Sequence, residues 1–178
     1  MTLTLLVIGA LLLFWGLGAY NRIMRLRAAV ASSWQAHLEP PLQALANDGL
    51  RLADVAVACL PAEGPAFETL RLQCQELQQA VRAVQVAPWV ADPVAQLAVA
   101  QALHASALQR ALALLEHHAH EADAQRDALV QALRQAKQQR EFGRQLFNQR
   151  VQAYNQAIGE LPTRVLAGLY GFHDAKTF

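Results

Sequence analysis

The chain is predicted to be all-α, an elongated antiparallel bundle of about four long helices. Its N-terminal transmembrane helix runs on into the first bundle helix. Three observations carry this. Ala, Leu, Gln and Arg, all strong helix formers, dominate the 178 residues, and β-branched residues rarely alternate with polar ones. Apolar residues recur at spacings of three and four through long stretches. An uncharged apolar run, Leu3 to Tyr20, opens the chain and continues past Arg22, Arg25 and Arg27 with no further Gly or Pro until Pro40.

The opening run is the anchor, residues 1–21. Eighteen residues at about 1.5 Å each span about 27 Å, close to the hydrocarbon thickness of a bilayer. Trp15 and Tyr20 are of the type that favours the membrane interface. No Lys or Arg precedes the run and three Arg follow it, which by the positive-inside rule puts the amino terminus outside and the bundle in the cytoplasm. A cleaved signal peptide, cut near Gly16 to Ala19, is the competing reading, but the usual positive leader is missing.

The bundle is assigned to residues 22–160. Ile23, Leu26, Val30, Trp34 and Leu38 form one helix face, which Pro40 and Pro41 are expected to interrupt. A helix restarts with Pro41 in its first turn and runs to about Cys59. Leu60 to Ala66 (LPAEGPA) reads as a loop, followed by a helix from Phe67 to Val86 with Leu70, Cys74, Leu77, Val81 and Val84 on one side. After the loop Ala87 to Pro93, with Asp92 as candidate N-cap, a helix to His117 uses Leu97, Leu103, Leu108, Leu112 and Leu115. The last long helix, Asp123 to Gly159, carries Leu129, Leu133, Ala136, Phe147, Val151, Tyr154, Ile158 and Leu161 at near-heptad spacing. Arg140 and Gly143 interrupt that stripe, so packing is expected to loosen there. Residues 161–178 then form an apolar segment near the membrane. It either lies in the interface with Tyr170 and Phe172 at headgroup level, the favoured reading, or packs on Trp34 or the base of the first helix.

A net charge of +1 with interspersed signs offers no basic patch, which argues against nucleic acid as a partner. There is no Gly-rich phosphate loop and no nucleophile beside a His and an orienting acid, so no enzyme chemistry is called for and no cofactor is expected. His104 and His37 read as isolated surface or boundary residues. Cys59 and Cys74 make no disulfide framework or metal spacing, and Cys74 fits a buried helix position. The one metal-like cluster is Glu116, His117, His120 and Glu121, whose members fall four apart on a helix. A zinc site needs four ligands and no second cluster supplies more, so a solvated turn is the simpler reading; a metal carrier or small metalloenzyme is the alternative function.

Aromatic–Asn pairs recur at Tyr20-Asn21, Phe147-Asn148 and Tyr154-Asn155. Asn148 and Asn155 lie seven apart on one face, and the reading favoured here is that they hydrogen-bond between helices and fix register. The alternative is a polar surface for a partner.

These residues also carry a resemblance. Tyr20-Asn21-Arg22 with Leu26, Arg27, Val30 and Trp34 resembles the opening signature of the LemA family. Gly143-Arg144, Phe147-Asn148, Val151, Tyr154-Asn155 and Ile158, then Leu161-Pro162 and Gly171-Phe172, resemble its closing one, with Leu129 and Leu133 as the apolar pair before it. The similarity lies at the two ends and fades between them. It implies a bacterial protein with an N-terminal membrane helix and a helical-bundle domain, of no established biochemical role. The family's turn between its last two helices falls near Ala119. The implied function is a non-enzymatic interaction module in the bacterial inner membrane, single-pass, whose partners are the bilayer and a membrane or membrane-proximal protein. Self-association is compatible with the same helical stripes.

Overall fold

A computed structural model describes residues 2–117, 124–161 and 163–178, and among them every long element is helical. The first is a rod, Thr2–Cys59, whose 58 residues extend about 87 Å. It comprises α1 (Thr2–Ser33), a π-helical turn (Trp34–Leu38) and α2 (Glu39–Cys59). A short 3₁₀ turn, Pro61–Glu63, leads into α3 (Gly64–Val86), followed by α4 (Ala91–His117), α5 (Ala124–Gly159) and the short α6 (Thr163–Tyr170). From Leu3 to Phe14 the rod is bare of tertiary contacts, with Leu3, Leu6 and Phe14 more than 70% exposed. It is the one helix among the described residues long and apolar enough to cross a membrane.

Pro40 and Pro41 do not break the rod, contrary to the sequence reading. In an unbroken α-helix the carbonyls of Ala36 and His37 would need the N–H groups of residues 40 and 41, and proline has none. The chain answers by widening one turn: the Glu39 N–H bonds the Trp34 carbonyl, five residues back. Both prolines then fall in the opening turn of α2, where α-helical N–H groups have no intrahelical partner.

The His37 carbonyl in this turn faces a close approach of α5. A Cβ built on Gly143 of α5 would lie 2.0 Å from the His37 carbonyl oxygen. Only a glycine, presenting a Cα–H to that oxygen, fits. Packing is therefore close at Gly143, where the sequence reading expected it to loosen. One turn along, Trp34 meets Phe147 edge-on at 6.0 Å, and both are fully buried.

α3 runs back along α2, with Gln78 bonded to Asn47 and Arg71 paired with Asp54, and α4 runs back along α3. α5 lies along α2 and α1. Two apolar clusters fill the bundle. One, nearer the anchor, centres on Trp34, Leu38, Leu77, Leu97, Phe147 and Tyr154; the other, distal, on Leu52, Phe67, Leu70, Leu108, Ala111 and Leu133. Three details depart from the sequence reading. Helix α3 starts at Gly64 rather than Phe67, because Pro65 suits a first turn. Helix α4 starts at Ala91, so Asp92 sits inside its first turn instead of capping it. Leu103 and Leu161 face outward, 52% and 75% exposed.

Gly171, at φ +66°, ends α6. The Phe172 N–H returns to the Ala167 carbonyl at 3.0 Å, and both side chains join the core near Trp34, a Schellman closure with its hydrophobic contact. The segment thus packs against the base of the first helix along its inner face, which was the alternative reading: Tyr20 contacts Tyr170 and Phe172, at 5.6 and 6.3 Å between ring centres.

Gly143→Ala should cost about 2 kcal/mol or more, because the obstruction is backbone and cannot swing aside. Gly159→Ala, with open space around it, should cost nothing measurable. Thermal unfolding of the two variants in detergent checks the contrast, and equal melting temperatures would refute the contact.

Candidate functional site

At the distal half, α4 and α5 splay apart over α2. Their facing residues explain this: Ala105, Gln109 and Ala113 on α4 are too small or polar to meet Arg134 and Lys137 on α5, whose charged heads seek water. The result is a cleft of about 440 Å³, within the usual size of a ligand-binding pocket. Its floor and inner walls are Leu45, Leu108, Leu112, Val130 and Leu133. Arg134, Lys137 and Arg140 line one side, and among the described residues Glu116 is the single carboxylate in the lining. Arg140 is only 15% exposed along its side chain, and its Nε has no hydrogen-bond partner.

His104 also lines this cleft and is 2% exposed, not the surface or boundary residue that the sequence suggested. A signal for this existed: His104 stands seven residues from both Leu97 and Ala111, on their stripe. Its Nε2 has no partner, and a Cβ at Gly49 would come within 3.3 Å of it and 2.7 Å of the Cys74 sulfur. Burial lowers the imidazole to about 4, opposed by the Leu45 backbone and reinforced by the Arg140 charge, so the ring is neutral at pH 7. Burial also raises the Cys74 thiol to about 12, leaving it inert. Cys59 is exposed and both cysteines are free.

The aromatic–Asn pairs of α5 do something the sequence reading did not foresee. They bind the closing segment rather than another helix. The Asn155 amide donates to the Ala175 carbonyl and accepts from the Ala175 N–H, both at 2.8 Å. Asn148 does the same with Phe178, again at 2.8 Å. Each side-chain amide thus pairs with a backbone as a neighbouring β-strand would. The spacing fits: seven helical residues rise about 10.5 Å, and three extended residues about 10 Å. Tyr154 donates its hydroxyl to the His173 carbonyl at 3.1 Å, and Arg144 reaches the Phe178 carbonyl at 3.3 Å while holding Glu141. Burial raises the Tyr154 phenol above its ordinary value, Arg27 opposing and Asp174 adding to the rise, so it remains a donor.

The opening signature meets this segment from the other side. The Arg27 guanidinium sits 4.3 Å over the Trp89 ring and 5.3 Å from Phe172. Arg22 pairs with Glu160 at 3.8 Å, and Asn21 is exposed. Pro162 lies outside the described residues. So do His120 and Glu121 of the metal-like cluster, and the turn expected near Ala119. Glu116 and His117 are exposed at the end of α4, and no group of three potential metal ligands occurs among the described residues.

Two outcomes follow. The folded state favours neutral His104, so its contribution to stability is complete above about pH 6.5 and is lost as pH falls through about 4. His104→Leu should remove about 3 kcal/mol of the acid-induced loss between pH 7 and pH 4, measured by denaturant titration against wild type; parallel pH curves would refute it. Asn155→Ala should speed amide exchange at Ala175 about fivefold or more while sparing mid-α3 amides. Unchanged exchange at Ala175 would remove the clamp.

A family model described as LemA family matches residues 70–178, more than half of the chain. The match takes in α3 and α4 as well as α5, α6 and the Asn clamp, so the likeness runs through the region where the sequence alone suggested it fades. No curated protein and no solved structure matches. With its closing signature folded into one clamp on α5, and the family model spanning three of the four long bundle elements, the chain belongs to the LemA family.

Proposed function

We propose that the protein is a docking module, anchored in the bacterial cytoplasmic membrane, that holds an acidic amphipathic segment of a membrane-proximal partner in the α4–α5 cleft. The cleft carries this reading. Among the described residues it pairs an apolar floor with three cations and one carboxylate, so an incoming segment buries apolar side chains while its acids meet Arg134 and Lys137. No triad, nucleophile or ligand set competes for the same space among the described residues, and the Cys74 thiol is held inert by burial. The anchor keeps the partner near the membrane. The three Arg after the apolar run support an outside amino terminus and a cytoplasmic bundle.

A photo-crosslinking amino acid placed at Ala113, on the cleft wall, should give a discrete adduct in intact cells, and one at Val99, on the exposed back of α4, should not. Combining Arg134→Glu with Lys137→Glu should reduce the Ala113 adduct about tenfold or more, since like charges would then face each other. Absence of an adduct at Ala113, or equal adducts at both positions, would overturn the reading.

A further inference from the structure

We propose that α6 is a second membrane contact, lying flat on the bilayer surface where the anchor emerges. This rests on the proposed anchoring, and adds that the bundle is held to the bilayer at two places rather than one.

The inner face of α6 is fixed by Thr163 and Ala167, which are buried. Its outer face carries Val165 and Leu169, 50% and 75% exposed, with Leu161 before the helix at 75%. Val165 and Leu169 stand four apart and so share one face of α6. Tyr170 adds a ring 64% exposed. Such a stripe on a helix this short is a poor surface to leave in water.

Geometry says what covers it. One end of α6 adjoins Glu160, which pairs with Arg22; the other brings Tyr170 and Phe172 against Tyr20. Both contacts fall on the turn of the rod where the apolar run gives way to arginines. The stripe also continues the bare apolar surface of the anchor through Leu17, 55% exposed, and Tyr20, 37% exposed. Around it are groups suited to the headgroup layer: the rings of Tyr20 and Tyr170, and the exposed Arg22, Arg25 and Arg164. An eight-residue helix is far too short to span, and its two-faced pattern is that of an interfacial helix.

The test uses the full chain with Cys59→Ser; Cys74, buried and inert, stays in place. Single cysteines at Val165, Leu169, Leu12 and Leu72 are labelled with an environment-sensitive dye, and the proteins are reconstituted into vesicles of phosphatidylcholine and phosphatidylglycerol. Labels at 165 and 169 should be quenched by headgroup-level nitroxide lipid, and about fivefold less than the Leu72 label by aqueous iodide. The Leu12 label should be quenched by nitroxides deep in the acyl chains. If Leu12 lies in lipid but 165 and 169 respond to iodide like Leu72, α6 is not a membrane contact although the anchor stands. Shielding of 165 and 169 from iodide without nitroxide quenching would mean that protein covers the stripe, and also overturns the proposal. If Leu12 itself is open to iodide, the anchoring reading falls first.

Discussion

Two missing N–H groups, those of Pro40 and Pro41, constrain much of this fold. The π turn at Trp34–Leu38 accommodates them within an unbroken rod and leaves the His37 carbonyl facing α5. That carbonyl admits only a glycine, so Gly143 fixes α5 against the rod in both distance and register. The consequences run along α5. Phe147 comes edge-on to Trp34, and Asn148 and Asn155 are left facing out from the seam, where the closing segment reaches them. A slip of one turn between rod and α5 would place a Cβ against the carbonyl and separate the two rings.

The two halves of the bundle are built on opposite rules. Near the N-terminal apolar run, large rings and aliphatic chains from α1, α3, α4 and α5 converge, and the closing segment seals them with Phe172 and Ala175. In the distal half, Ala and Gln on α4 face Arg and Lys on α5, and the helices stay apart. Gly49 lets the rod come close to Cys74 and His104 beneath the cleft.

The helices themselves were legible because periodicity is local. Leu133, Phe147, Val151, Tyr154 and Ile158 mark the buried side of α5 without any knowledge of what covers it, and all five are buried. The burial of His104 is legible in its place on the Leu97 stripe, against the outward bias of its residue type. The π turn was not legible, since a proline pair is compatible with a break, a kink or a widened turn. Only the approach of α5 selects among them. The Asn clamp was still harder to see: the pairing of Asn148 with Phe178 spans thirty residues and joins a helix to an extended segment, so no single period describes both strands of the contact. Repetition at seven residues located the amides but not their target.

The unbroken rod makes the molecule a stiff lever. With no flexible linker between the apolar run and α2, and with the π turn wedged against Gly143, the bundle cannot swivel independently of the helix that carries it. From Tyr20 to Cys59 the arm is about 58 Å, so a change of about 10° in the inclination of the first turns carries the far tip sideways by about 10 Å. Bilayer thickness is one influence on the inclination of a spanning helix, beside packing and interfacial anchors. On the proposed anchoring, a sheet of lipid whose thickness altered that inclination would reposition the cleft walls by a distance comparable to the width of a helix, with no rearrangement inside the fold.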